Sequence, residues 1–281
     1  MHRLSFAARV LLACVPALGL VAVGAGTASA SGAPPNARAA AIRALEHLRI
    51  GQHATNHVVR HSASVKGAPV QVQSSNWSGY ADTATSSKYS KAAGKWTQPA
   101  ATCTSKKSFA AFWVGIDGYS SKSVEQGGSL IECLSGTAHY FTWWEMYPSN
   151  AIQVVGTKVK PGDKIAASVV RTGTTYKIKV TDATTAGNSL TTTQTCGTCA
   201  NSSAEWIAEA PSNSSGVLPL ANFGTWTLKG ASVTAGATIG TISSFPDSEI
   251  TMVNSALKVK AQPGPLNSTG TQFKVTWKSA T

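Results

Sequence analysis

Histidine is nearly missing from the part of this chain that can build a core. Six histidines occur in 281 residues, but beyond His61 only His139 remains. That excludes a histidine-rich zinc site of the metalloprotease kind. A Ser-His-Asp triad would have to pass through Ala138-His139-Tyr140-Phe141, and no Gly-x-Ser-x-Gly elbow accompanies it. His139 therefore reads as a strand residue. The paired Asp-Thr/Ser-Gly loops of aspartic peptidases are absent, as is any Gly-x-x-x-x-Gly-Lys-Ser/Thr phosphate cradle. Acids are scarce too, twelve against twenty-four Lys and Arg, for a formal net charge of +12.

Aromatic residues are lacking from Ala7 to Asn76, so the N-terminal quarter has little with which to make a core. Residues 1–30 read as a signal peptide. His2-Arg3 and Arg9 form the basic end, Val10 to Val23 the apolar run, and Ala28-Ser29-Ala30 the cleavage site. The run is too short and too rich in Gly and Ala for an anchor, which makes the product secreted, with no membrane association after cleavage. Residues 31–70 read as a pro-segment. Ile42, Leu45 and Leu48 place one amphipathic helix over Ala39–Ile50, stopped by Gly51, and a polar linker follows. Its positive charge suggests docking against carboxylates of the domain that follows.

The basic charge does not indicate nucleic acid. Seven Lys and Arg lie in residues 1–70. Many others alternate with apolar residues, as in Tyr176-Lys177-Ile178-Lys179-Val180 and Phe273-Lys274-Val275-Thr276-Trp277. Period-two alternation puts lysine on the wet face of half-buried strands. Short runs of this kind recur from Val72 to Thr276, separated by Gly, Ser, Asn and Pro, with Arg171-Thr172-Gly173-Thr174 and Lys229-Gly230 as hairpin-type turns. No later segment keeps a helical period over three turns. The expected fold is all-β: residues 71–281 as one antiparallel two-sheet sandwich, jelly-roll or concanavalin-like. Without Cys14, which leaves with the signal, four cysteines remain. In an exported chain they imply two disulfides and no free nucleophilic thiol. Cys196-Gly197-Thr198-Cys199 lacks the helix that a redox dithiol needs and reads as a staple in a turn.

What remains is carboxylates and amides, and the carboxylates sit in unusual company. Asp117 lies in Phe112-Trp113-Val114-Gly115-Ile116-Asp117-Gly118, Glu145 in Trp143-Trp144-Glu145-Met146-Tyr147-Pro148, and two more in Ala204-Glu205-Trp206-Ile207-Ala208-Glu209. Unpaired burial of a carboxylate is costly, so acids recurring among Trp, Phe and Ile point towards chemistry. From its neighbours alone, Gln126 before Gly127-Gly128 reads as a turn residue, and Glu205 could equally face solvent. Glu209 shares its parity.

These blocks, with Glu125-Gln126-Gly127-Gly128 between them, Ser75-Asn76-Trp77-Ser78-Gly79-Tyr80 before and Pro219-Leu220-Ala221-Asn222-Phe223-Gly224 after, resemble in order and context the glutamic peptidases (eqolisins). The resemblance spans most of 75–280. It implies a sandwich with a concave substrate groove, and a secreted acid endopeptidase, acting as a monomer on proteins or peptides without cofactor or metal. Gln126 and Glu205 match the catalytic dyad; Trp77, Trp113, Asp117, Trp143, Glu145 and Tyr147 match positions that line or support the groove. Two departures stand out: Glu125 where the fungal members carry an apolar residue, and Met146 where an aromatic is common. Strand alternation turns Glu125 away from Gln126. Two other readings fit the composition: a non-catalytic lectin-like sandwich, and a glycosidase with paired carboxylates.

Overall fold

Alternating apolar and polar residues from Val70 onwards fold into two layers of strands. The computed structural model describes Ala39, Ile42, Arg43, Leu45, residues 48–50, the backbone of His57–Val58, residues 68–83 and residues 89–281. The expected signal peptide lies outside the described residues. Among the described residues no helix is long and apolar enough to cross a membrane.

The groove sheet runs, neighbour to neighbour, through Asn150–Gly156, Thr137–Tyr147, Val124–Leu134, Ser108–Ile116, Ala204–Glu209, Trp77–Asp82 and Asp247–Val253. These pairs are antiparallel. Val70–Ser74 then adds in parallel to Asp247–Val253, and His57–Val58 pairs with it in turn. The second layer runs through Leu190–Thr195, Thr175–Asp182, Lys164–Thr172, Tyr89–Thr97 and Thr225–Ala235. The inter-layer core takes one parity of each strand: Tyr80, Phe112, Val114 and Trp206 from the groove sheet, Trp96, Tyr176, Ile178 and Val180 from the other. The fold is the expected β-sandwich.

Two details differ from the sequence reading. Lys229-Gly230 is not a hairpin turn; it lies inside Thr225–Ala235. Thr225–Leu228 pairs with Phe273–Trp277, whereas Lys229–Ala235 pairs with Tyr89–Thr97 after a register shift. Gly230, at φ 60°, takes the left-handed conformation that lets the strand bulge and pass from one layer to the other. The N-terminal helix is also shorter than expected. Ala39, Ile42, Arg43 and Leu45 are helical, but Leu48–Ile50 is not. Arg49 instead exchanges backbone hydrogen bonds with Ser212, at 2.8 and 3.0 Å, and these tertiary bonds replace the helix's last turn.

Cys103–Cys133 and Cys196–Cys199 are both disulfides. The second is the local staple anticipated from its spacing. The first ties the approach to Ser108–Ile116 onto the neighbouring Val124–Leu134. Closing a thirty-residue loop stabilises by roughly 3–4 kcal/mol in the chain-entropy view.

Candidate active site

Directly paired residues on neighbouring strands point to the same face, so the register of the groove sheet fixes which side chains meet. One row crosses five neighbouring strands and a sixth: Ser248, Ala81, Glu205, Gly115, Gln126 and Glu145. The next row is Ile250, Gly79, Ile207, Trp113, Gly128 and Trp143. A third carries Trp77, Glu209, Ala111, Leu130 and Phe141. All of this face is buried, because Leu45, Leu48 and Ile50 pack into the same apolar cluster as Trp77, Trp113, Trp143 and Ile207.

Gln126 is a strand residue, fully buried. Its Nε2 donates to Oε2 of Glu145 at 2.9 Å and to the carbonyl oxygen of Ile50 at 2.7 Å. The Ile50 backbone N–H lies near the Glu145 carboxyl and lowers its pKa. The Ile50 backbone, in the N-terminal segment, is thus held against the Gln126–Glu145 pair. The described contacts that dock the segment are apolar packing and backbone pairing, and Arg43 and Arg49 are exposed.

Glu205 stands on the same row as Gln126 with only Gly115 between, about two strand spacings of 4.8 Å away. A Cβ on Gly115 would come within 3.2 Å of the Gln126 Cβ and 2.9 Å of the Trp113 ring. The glycine therefore keeps open the space between the amide and the carboxyl. Both Glu205 oxygens and Gln126 Oε1 are buried without a hydrogen-bond partner among the described residues.

Burial raises the Glu205 pKa well above the usual carboxylate value. The nearby Ser203 hydroxyl lowers it without completing a hydrogen bond, and the charges of Asp117, Glu125 and Asp82 raise it further. Glu145 is also raised well above its usual value, by burial first and then by Glu209, against the Gln126 hydrogen bond and the nearby Ile50 N–H. Glu209 differs from Glu205 although they share a face. It accepts from Trp113 Nε1 at 2.9 Å and Asn76 Nδ2 at 3.1 Å, and so positions the Trp113 ring.

The other sequence candidates divide. Trp77, Trp113, Trp143 and Glu145 lie on the groove face. Tyr147, two residues beyond Glu145 and opposite Val124, is half-buried at the end of its strand. Asp117 does not line the groove. At φ 69° it turns beyond Ile116 and accepts from the Asn201 N–H (2.7 Å), the Ser202 N–H (2.8 Å) and the Ser202 and Ser123 hydroxyls. It anchors the loop that leads into the Glu205 strand. Glu125 faces the other side, beside Arg171, Tyr176 and the Cys196–Cys199 sulfurs. Those sulfurs are joined to each other and offer no thiolate to a metal. His139 is half-buried on its strand, opposite Glu132 and six residues from Glu145.

Sequence reasoning missed Gly115, Ile50 and Ser212. Gly115 was visible within its motif, but its meaning depends on the register. The other two make contacts that cross long stretches of chain. Tyr119 was missed as well; its hydroxyl reaches Ser248 at 3.1 Å, at the end of the row that holds Glu205.

Comparison with known proteins agrees with this arrangement. Residues 75–272 match the model of the Peptidase A4 family. Aspergillopepsin-2 from Aspergillus niger is 26% identical over 200 residues, covering 63% of this chain and 70% of that protein. Scytalido-glutamic peptidase, solved with a transition state analog inhibitor, superposes with a TM-score of 0.61 at 21% identity, over 73% of this chain and 98% of that one. Aspergilloglutamic peptidase from Aspergillus niger gives 0.52 at 24% identity, over 61% and 99%. These matches separate the peptidase reading from the lectin-like and glycosidase alternatives. The chain belongs to the Peptidase A4 family, and the activity that this membership carries is peptide-bond hydrolysis.

Proposed function

We propose that this protein is an exported, monomeric acid endopeptidase in which Gln126 and Glu205 hydrolyse peptide bonds in protein substrates. The leader is residues 1–30, the pro-segment 31–70 and the catalytic domain 71–281. The observation that carries the reading is the Glu205–Gly115–Gln126 row, with a peptide carbonyl, that of Ile50, resting on Gln126 Nε2 at 2.7 Å. Structures of scytalido-glutamic peptidase with a peptide-based transition state analog, and of an eqolisin with a tripeptide, support peptides as the ligand class.

In this mechanism Glu205, as carboxylate, takes a proton from a water held between it and Gln126 Oε1. The water attacks the scissile carbonyl carbon. The Gln126 N–H stabilises the oxyanion that forms, and protonated Glu205 passes its proton to the departing amine. An amide suits this place because it donates at every pH without adding charge beside Glu205. Glu145 holds the other Nε2 hydrogen and so orients the amide. The base must be ionised to act, and burial beneath the pro-segment opposes that. Opening the groove to water relieves the desolvation and brings Glu205 back towards the acidic range.

The test is casein hydrolysis at about pH 4, comparing the secreted protein with its Glu205→Gln variant; a general base contributes about a hundred- to ten-thousand-fold. Loss of that order with an unchanged circular dichroism spectrum supports the assignment, and full activity in the variant refutes it.

A further inference from the structure

The acids of this chain are inside it. Of the twelve acidic residues, Glu46 lies outside the described residues, nine are buried, and Asp247 and Glu249 are half-buried. No acidic side chain is therefore exposed among the described residues, and lysines gather on the outer face of the second layer. Tyr176, Ile178 and Val180 turn inward, which leaves Lys177 and Lys179 outside; Trp96 and Ile165 do the same for Lys95 and Lys164. Register sets these cations side by side. Lys177 and Lys91 both lie opposite Val170, about 10 Å apart by two strand spacings. Lys95 lies directly opposite Lys229, and like charges so placed destabilise a sheet. Acids of the same layer give no relief. Asp163 and Asp182 are buried and accept from the backbone N–H groups of Lys160, Thr184 and Thr185.

Past Lys229 the face runs into a cavity of about 500 Å³. Gln98, Gln272, Thr97, Thr227, Lys229 and Lys274 stand in its walls. Thr97 and Lys229 belong to both surfaces, so the cavity continues the lysine face. Ammonium groups in a row take repeated anions, while the amides and hydroxyls of the cavity take the hydroxyls of a sugar. Aromatic side chains of these strands offer no platform for a base, since Tyr89, Trp96, Tyr176 and Trp226 turn into the core. Val170 and Ile239 are exposed on the face, but Lys91 and Thr234 stand between them, so they form no apolar patch for a lipid surface.

We infer that this face binds an acidic polysaccharide, a sugar chain bearing carboxylates that lies across the lysines with one unit in the cavity. Lysine keeps its charge below about pH 10, so the attraction holds wherever the polymer's carboxylates are ionised. The face lies on the far side of the sandwich from the groove. A molecule held on such a polymer keeps its groove open to other partners. The inference therefore stands apart from the peptidase function and adds a site of attachment to it.

The experiment is binding of the secreted protein to immobilised polygalacturonate at about pH 5, above the ordinary carboxylate range, with neutral dextran as the control. Two fourfold variants are compared. One carries Lys91→Gln, Lys95→Gln, Lys177→Gln and Lys229→Gln on the face; the other carries Lys106→Gln, Lys122→Gln, Lys158→Gln and Lys258→Gln, exposed elsewhere. Both lose the same charge. The wild type should bind polygalacturonate and not dextran, and should weaken at least about tenfold as salt rises from about 50 to about 200 mM. The face variant should lose at least about tenfold in affinity and the other less than about threefold, with circular dichroism spectra unchanged. Arg at the same four face positions should restore binding, since it keeps the charge. Equal losses from the two variants, or no binding by the wild type, would overturn the inference. Tighter binding to a single-stranded DNA oligonucleotide or to anionic phospholipid vesicles than to polygalacturonate would also overturn it.

Discussion

Gln126 reaches the carbonyl oxygen of Ile50 from a strand seventy-six positions away, with its Nε2 2.7 Å from it. The same nitrogen donates to Glu145, so the amide has one fixed orientation and points its N–H groups where a peptide oxygen arrives. Replacing Gln126 by Ala removes that donor and frees space. With a synthetic peptide at acidic pH, kcat should fall about a hundred- to a thousand-fold, the loss typical of one oxyanion donor, while KM changes little. The variant should also lose roughly 1–3 kcal/mol of stability, because Glu145 stays buried with a donor missing. A kcat within a factor of a few of wild type would remove Gln126 from the mechanism.

Gly115 provides a sharper probe, since Ala adds a single carbon. That carbon would lie 2.9 Å from the Trp113 ring and 3.2 Å from the Gln126 Cβ, on the row between Gln126 and Glu205. Overpacking of this kind costs about 1–3 kcal/mol. Stability measured in urea should fall by that amount, and kcat should fall much more than the folded fraction does. An active Gly115→Ala enzyme would mean that the reacting water lies elsewhere.

The sandwich was readable because strand alternation is a local signal: Thr175–Asp182 and its lysines announce one wet and one dry face. Non-local choices were not readable. Val70–Ser74 alternates just as well but follows a polar stretch, and its partner strand lies beyond residue 246. The helix periodicity of Ile42, Leu45 and Leu48 continues towards Ile50, yet the Ser212 and Gln126 hydrogen bonds take the last residues out of the helix. At Gly230 a turn residue proved to be a bulge within a strand, for the same reason: the layer change depends on two partner strands. The site was legible as a set of ordered motifs. Gln126, judged by its two following glycines, looked like a turn; its position on one row with Glu205 follows from a register that no single segment contains.

Asp117 should behave as a positioning residue. Four donors from residues 123, 201 and 202 converge on its carboxylate, two of them backbone N–H groups just before the Glu205 strand. Its φ of 69° is tolerated by Asn far better than by Ala. Asp117→Asn should cost about 1–2 kcal/mol and Asp117→Ala about 2–4 kcal/mol, since both lose acceptors and Ala adds backbone strain. Hydrogen–deuterium exchange of residues 200–205 should quicken in the same order, with kcat declining alongside. Equal effects from the two substitutions would argue against the loop-anchoring role.

The pH response of the N-terminal segment around Leu45–Ile50 follows from the sign of the carboxyl shifts. Glu145 and Glu205 are held well above the ordinary carboxylate value of 4.5 while the segment covers them, chiefly by burial. The covered state therefore binds more protons than an open one, and protonation favours docking. This contribution is complete below the ordinary value and is lost as pH rises through the raised one. Acid alone should not expel the segment by discharging the groove; rising pH should loosen it. In the Glu205→Gln chain, Glu145 retains its share of the response. Hydrogen exchange of residues 39–50, corrected for intrinsic rates, should show opening that grows as pH rises above the ordinary carboxylate range. Adding Glu145→Gln should flatten the trend, because the carboxyl beside Ile50 no longer titrates. Opening that grows towards acid instead would mean that charge pairing, and not burial, governs the contact.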